Sequence, residues 1–113
     1  MYFIKKGKVS LVLRDYNNFR FLEISQGYYF GEVELLFDEI RKYTYIADTN
    51  CELLSINKQN FQRIFFEEFR EIGNQIYQSA FKRKIRTLRT YKEALKFCKK
   101  ESKLMKKEKS RAK

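Results

Sequence analysis

The chain has 113 residues, a hydrophobic fraction of 43% and a formal net charge of +11, and this length suffices for one domain with a modest core. It has no histidine, which excludes Ser-His-Asp and Cys-His catalysis and His-containing metal motifs. Its two cysteines are too few for a four-cysteine zinc site, and they favour a protein of the reducing cytosol. No apolar run approaches the ~20 residues of a membrane span, so we predict a soluble domain. From the missing residue types we also predict a domain that is not an enzyme and has no cofactor.

Two short strands are predicted at the start of the chain, in "YFIKKGKVSLVL". In the second, Val9, Leu11 and Leu13 alternate with other residues at roughly the period of a half-buried strand. Asn17 and Asn18 are turn formers within "RDYNNFR", which places a third strand, "FRFLEI", in a hairpin with the second. After the turn "SQG", the aromatic "YYF" predicts a further short strand. The first third of the chain is therefore predicted to be antiparallel β-structure.

The middle of the chain continues this pattern with one interruption. "EVELLF" is too short for an independent helix but suits a single helical turn that begins near Glu32. "KYTYIADT" and "CELLSI" are rich in β-branched and aromatic residues and predict two more strands. From Asn57, which can act as an N-cap, apolar residues at helical spacing predict a helix over residues 57–69.

A second, long helix is predicted next. Its apolar residues recur in steps of mostly three or four as far as Cys98. Beyond that point only Leu104 and Met105 interrupt the charge, so we expect fraying or disorder there. Residues 82–113 hold fifteen Lys/Arg against three Glu, a balance of +12, whereas residues 1–81 have a balance of −1. Any attraction to polyanions therefore belongs to the end of the chain and not to its body.

The predicted fold class is α+β: an antiparallel, jelly-roll-like and incomplete β-roll followed by two C-terminal helices, the second long and basic. Residues 1–56 form the partial roll, residues 57–69 the first helix, and the second helix begins at Arg70. Residues 1–95 make up one domain and residues 96–113 a basic tail. Three interpretations of the tail stay open: solvated and disordered charge, adhesion to anionic lipid headgroups, or a target helix for calmodulin-type proteins.

Three motifs in collinear order resemble the cyclic nucleotide-binding domain. "MYFIKKGKVSLVL" is similar to a strand pair of that family, "YFGEVELL" to its phosphate-binding cassette, and "ADTNCELLSINKQNF" to its closing strand and following helix. The likeness covers residues 1 to about 95 and is greatest to the cytoplasmic gating domains of cyclic nucleotide-regulated and related voltage-gated cation channels, potassium channels among them. The resemblance implies a cytoplasmic domain that binds cAMP or cGMP and passes a displacement of its lid helix to an attached pore or effector.

The resemblance also implies a set of ligand-binding residues in the cassette. Gly31 takes the place of the glycine that lets the backbone approach the ligand at the start of a helix. Glu32 is expected to accept a hydrogen bond from the ribose 2′-hydroxyl. Arg41 is expected to pair with the cyclic phosphate, as guanidinium geometry favours. Val33 and Lys42 complete the expected set.

The sequence departs from the family pattern at two cassette positions. Lys42 stands where the family usually has a small residue or threonine, and Glu34 where it prefers Ala, Ser or Cys. We expect Glu34 to be solvated, because an unpaired buried carboxylate beside a phosphate would be costly. Lys42 has two open interpretations, an ion pair with Glu34 or reinforcement of the phosphate site. On the lid helix, one arginine is expected to contact the purine, and the candidates are Arg83, Arg86 and Arg89.

The predicted function is that of a regulatory domain that senses a cyclic nucleotide. Two alternatives are a domain that kept the fold, lost its ligand and serves as a protein-interaction module, and a basic module that binds nucleic acid through its tail. Because the family domain extends upstream of the position of Met1, we expect a fragment of a longer protein, whose parent could be an integral membrane protein. With strands left uncovered, the isolated chain is expected to aggregate or to melt broadly at low temperature.

Overall fold

Two antiparallel three-stranded sheets followed by helices form the part of the chain that the structure describes, which is residues 1–111 of a computed structural model, with side chains to Lys107. The strands are β1 (Tyr2–Lys6), β2 (Lys8–Leu13), β3 (Phe19–Ser25), β4 (Tyr29–Phe30), β5 (Thr44–Ala47) and β6 (Glu52–Ser55). The helical elements are α1 (Glu32–Leu36), α2 (Lys58–Gln62), a π-helical segment (Arg63–Glu68) and α3 (Arg70–Arg111). The predicted α+β class, with antiparallel strands before C-terminal helices of which the last is long, is confirmed.

The main core joins the two sheets, whose strand orders are β4-β1-β6 and β3-β2-β5. One buried cluster contains residues of both sheets, namely Ile4, Val9, Leu11, Ile24 and Phe30. The prediction that β2 is half-buried is wrong, because every residue from Val9 to Leu13 is buried. β2 is the central strand of its sheet, and its one buried hydroxyl, on Ser10, is satisfied by donating a hydrogen bond to Asp48.

The β2–β3 hairpin turns where its sequence predicts. A short 3₁₀ turn, Arg14–Tyr16, precedes Asn17 and Asn18, which have left-handed φ values of 56° and 55°. Asparagine tolerates this conformation better than most residues because its short side chain can bond locally to the backbone. The predicted hairpin between the second and third strands is confirmed, with Leu11 opposite Leu22.

The helices close one end of the roll around a second buried cluster, which contains Met1, Phe61, Phe65 and Ile76. Asn57 caps α2 as predicted, since its Oδ1 accepts a hydrogen bond of 2.8 Å from the Asn60 N–H. α3 then packs directly on the π-helical segment. A Cβ added at Gly73 would lie 1.9 Å from the Phe65 carbonyl oxygen, so only glycine fits at this contact. The start of α3 is thereby held against the segment that precedes it.

The far end of α3 continues as a helix to Arg111. The expectation of fraying or disorder beyond Cys98 is therefore wrong for the residues that the structure describes. This stretch consists mainly of Lys, Glu, Leu and Met, which are good helix formers, and it contains neither Gly nor Pro. The preceding turns are anchored to the hairpin, because Ala94 and Cys98 form a buried cluster with Leu13. The division between domain and tail at residue 95 stays a prediction.

Strand β6 is exposed along its whole length at the edge of its sheet, and it carries Leu53 and Leu54 on that surface. Such an edge is a ready site for intermolecular pairing, and aggregation of the isolated chain stays a prediction.

Among residues 1–111, no helix combines the length and the apolar character that crossing a bilayer requires.

Candidate ligand-binding site

Gly31 joins strand β4 to helix α1 in a conformation that favours glycine. Its φ is +85°, and it occupies the N-cap position of α1. A Cβ at this position would also come within 3.4 Å of the Met1 Cα and 3.5 Å of the Tyr2 ring. These are ordinary van der Waals contacts, so it is the positive φ that would strain any L side chain here. Glycine is therefore the residue this turn favours, and its approach to a ligand stays a prediction.

Glu32 is buried at the start of α1 and forms an ion pair with the long C-terminal helix. Glu32 is only 1% exposed. Its Oε1 accepts a hydrogen bond of 3.0 Å from the Arg83 Nη1. The Arg83 guanidinium also lies over the Tyr29 ring, 5.2 Å from its centroid. Burial raises the pKa of the Glu32 carboxyl above its ordinary value, and the Arg83 charge opposes that rise. The cassette and the lid helix are joined through this carboxylate.

The structure thus distinguishes among the three lid-helix arginines that the sequence offered. Arg83 faces the cassette, whereas Arg86 and Arg89 are exposed. The contact that Arg83 makes is to a carboxylate and not to a purine, and contact with a base stays a prediction. Sequence spacing could not have selected Arg83, because its partner lies 51 residues earlier in the chain.

Glu34, two residues after Glu32 in α1, differs from its prediction. Its Oε2 is buried and has no hydrogen-bond partner among the described residues, so the expectation of a solvated carboxylate is wrong. The interpretation that pairs it with Lys42 is also wrong. The Lys42 Nζ lies 3.9 Å from an oxygen of Glu39, and Lys84 of α3 donates a hydrogen bond to the other Glu39 oxygen. The two lysines therefore converge on Glu39, and neither pairs with Glu34.

Glu39 is the residue that sequence reasoning missed. Its two oxygens connect Lys42 and Lys84, which makes a second link between the cassette loop and α3. The hydrogen bond from Lys84 is the main reason that the pKa of the Glu39 carboxyl is lowered. Glu39 and Lys84 are 45 residues apart in the chain. Neither of them belongs to a motif that the sequence analysis identified. No sequence signal marked the pair.

Arg41 lies beside the site but is held by aromatic rings. Its guanidinium carbon is 5.3 Å from the centroid of the Tyr2 ring and 5.8 Å from that of Tyr45. Both contacts are in the range of cation–π attraction. In the described residues it makes no ion pair. Its role at a phosphate stays a prediction.

A cavity lies between the cassette, the inner strands and α3. Four of the five predicted ligand-binding residues line it, namely Gly31, Glu32, Val33 and Lys42. The fifth, Arg41, does not, whereas Arg83 and Lys84 of α3 do. The cavity volume is about 60 Å³, well below the ~300 Å³ at which small-molecule pockets begin. α3 forms one wall of this cavity, which in the present arrangement is smaller than a ligand of nucleotide size requires.

Other kinds of site find less support. Among residues that the structure describes, no group of three or more His, Cys, Asp or Glu side chains is placed to hold a metal ion. Cys98 is buried and Cys51 half-buried, and both are free thiols. The charged side chains that line the cavity, which include Glu32, Glu39, Arg83 and Lys84, form ion pairs and hydrogen bonds.

Comparison with known proteins gives a consistent picture of the first part of the chain. Residues 1–68 match the family model described as "cyclic nucleotide-binding domain". Over 67 residues, 59% of this chain, the sequence is 37% identical to potassium/sodium hyperpolarization-activated cyclic nucleotide-gated channel 2 of Mus musculus, Rattus norvegicus and Homo sapiens. The match spans 7% of the length of each channel. The family-model match ends before α3 begins, so the likeness out to residue 95 stays a prediction.

Proposed function

The chain belongs to the cyclic nucleotide-binding domain family, and we propose from this premise that it senses cAMP or cGMP as a regulatory, non-catalytic part of a longer cation channel. On this proposal the domain works in the cytoplasm, and the pore or effector attached to it responds to movement of α3. The similarity to a cyclic nucleotide-gated channel supports the proposed parent. The geometry of the cassette supports the proposed ligand.

The observation that carries the proposal is the ion pair between Glu32 and Arg83. The carboxylate that is expected to receive the ribose hydroxyl is the same one that holds α3 in place. A ligand that engages Glu32 must therefore share it with Arg83 or displace it. Because a ligand shifts a conformational equilibrium only through different contacts in the two states, this shared carboxylate provides the coupling that a sensor needs.

Entry of a nucleotide requires two local changes. α3 must move outward, because the closed cavity is too small, and the Glu39–Lys84 link must loosen with it. The Arg41 guanidinium must also turn from the Tyr2 and Tyr45 rings toward the phosphate. Exchanging two cation–π contacts for a charge-assisted pair with a phosphate is favourable, since such hydrogen bonds contribute ~1.5–3 kcal/mol.

Isothermal titration of the full chain with cAMP, cGMP and, as a control, 5′-AMP tests the proposal. We expect heat with at least one cyclic nucleotide and weaker binding of the open-chain nucleotide. Arg41→Ala should weaken the affinity at least about tenfold, because it removes the charge partner of the phosphate. Arg63→Ala is a matched control, since Arg63 is an exposed arginine away from the cavity. Equal affinity of the Arg41→Ala variant and the parent would remove Arg41 from the site.

A second candidate function is favoured by the unpartnered Glu34. A half-buried carboxylate with one unpartnered oxygen next to the expected phosphate position repels an anion, and a small cavity bordered by internal ion pairs suits a domain that needs no ligand. On this alternative the fold serves as a protein-interaction module. A folded chain, shown by circular dichroism, that gives no heat with either cyclic nucleotide at millimolar concentration would establish it over the first.

A further inference from the structure

Helix α3 carries a second apolar stripe that the described chain covers only in part. Tyr77, Phe81, Ile85 and Leu88 are 47%, 56%, 49% and 41% exposed. The helix face that packs on the roll contains Ile76, Ala80, Ala94 and Cys98. At about 100° per residue, the stripe lies roughly a third of a turn away from that face. Exposed apolar side chains in a continuous row mark an interaction surface more often than singly scattered ones do.

The spacing of the stripe is that of a helix-pairing seam. Phe81, Ile85 and Leu88 follow one another at steps of four and three, and the same alternation leads through Lys92 to Leu95. The Phe37 ring stands along one side of the stripe, with centroid distances of 5.7 Å to Tyr77 and 6.3 Å to Phe81. This ring gives the stripe a wall. The groove between the Phe37 ring and the stripe of α3 suits a helix better than a flat protein surface.

The charges around the stripe decide which partner fits. Between residues 82 and 96 the helix has seven Lys/Arg and one acidic residue, Glu93. Lys82, Arg89, Lys92 and Lys96 are exposed, and none forms an ion pair within the part of the chain that the structure describes. A second copy of the helix, in either direction, would bring these cations against one another, which is unfavourable. The stripe therefore does not suit self-association.

We propose that residues 77–96 of α3 are a docking surface for an amphipathic helix of another protein, with an apolar seam flanked by Asp and Glu. The seam would pack on Phe81, Ile85 and Leu88, in the manner of recognition through residues spaced by three and four. Acidic flanks would meet Lys82, Arg89 and Lys96, and Lys92 would lay its aliphatic stem on the seam with its ammonium group outward. The surface adjoins the candidate ligand site, since Leu88 also lines the cavity, whereas Arg83 and Lys84, which pair with the cassette, lie outside the seam.

The test uses the full chain and a synthetic helical peptide of about three heptads, with Leu at the a and d positions and Glu at the flanking e and g positions. We expect this peptide to bind and its counterpart with Lys at e and g not to bind. Ile85→Gln should weaken binding about tenfold, since it places an amide in the seam. Ile72→Gln is the matched control: Ile72 is 48% exposed on the same helix but lies about 140° around it, and the expected change is less than about twofold.

A charge variant tests the second half of the proposal without altering the seam. Arg89→Glu should weaken binding of the acidic peptide more than Arg86→Glu, which makes the same charge change further from the stripe. Vesicles of phosphatidylcholine with phosphatidylserine provide the competing partner, because a basic amphipathic helix can also lie on an anionic membrane. Binding to these vesicles that is lost in Ile85→Gln, without binding of the acidic peptide, would overturn the proposal. So would equal binding of the acidic and basic peptides.

Discussion

Two carboxylates on the same short helix have opposite surroundings. Glu32 is paired with Arg83, which comes from a distant part of the chain, whereas the Glu34 Oε2 is buried without a partner. Arg41, the cation that the cassette motif assigns to the phosphate, is held by two aromatic rings. The comparison shows that proximity in a motif did not determine which charges meet. The packing of α3 against the cassette determined it, because it places Arg83 where the buried charge needs a counterion.

The largest expected effect comes from breaking the Glu32–Arg83 pair on one side. Arg83→Ala leaves a buried carboxylate without its counterion, and removal of one partner from a buried pair costs ~3–5 kcal/mol. Because the Arg83 side chain is 29% exposed, we expect a loss of about 2–4 kcal/mol in the free energy of unfolding. Urea denaturation followed by circular dichroism measures it.

Two further variants separate the charge from the lost packing. Arg86→Ala removes an exposed arginine of the same helix and should change the unfolding free energy by less than about 0.5 kcal/mol. The double variant Glu32→Gln/Arg83→Ala should recover part of the loss, since no buried charge remains. If Arg83→Ala is no more destabilising than Arg86→Ala, the ion pair does not hold the lid.

A smaller effect of opposite sign is expected at Glu34. Glu34→Ala removes a buried oxygen that has no partner, so we expect stabilisation by about 1–2 kcal/mol. If the carboxylate also repels the phosphate, cyclic nucleotide affinity should rise, mostly at low ionic strength. Glu67→Ala, at an exposed position, is the control. A destabilised Glu34→Ala variant would mean that the side chain has a favourable contact that the described residues do not supply.

The smallest effect is a contrast in pH dependence between Glu32 and Glu39. Burial raises the pKa of Glu32, so its contribution to stability is complete below the ordinary value of 4.5 and is lost as the pH rises through the folded-state pKa. The Lys84 hydrogen bond lowers the pKa of Glu39, so its contribution is present above 4.5 and is lost as the pH falls through the folded-state pKa.

Substituting each carboxyl by an amide should reveal these opposite slopes. Relative to the parent, the melting temperature of Glu32→Gln should rise as the pH increases above about 4.5. The melting temperature of Glu39→Gln, relative to the parent, should fall as the pH increases through the range just below about 4.5. Thermal melts across the acidic range measure both. Parallel slopes for the two variants would contradict the assignment of burial as the cause at Glu32 and of the lysine as the cause at Glu39.

Much of the local structure could be predicted from the sequence. The turn at Asn17 and Asn18, the cap at Asn57 and the single helical turn at Glu32 are confirmed, because each depends on backbone preferences of residues close together in the chain. The family was also recognisable from its motifs. The end of α3 was predicted wrongly, because high charge was given more weight than the helix propensity of lysine, glutamate and leucine.

The sequence by itself determined the order of strands and helices, the glycine at the cassette and the concentration of positive charge near the end of the chain. Only the tertiary structure decided that Arg83 meets Glu32, that Lys84 and Lys42 meet Glu39, and that Glu34 meets none of them. These contacts depend on the rotation and tilt of α3 over the roll. That placement is fixed by packing across many residues, such as the close contact of Gly73 with Phe65, and packing of this kind has no short-range signal in the chain.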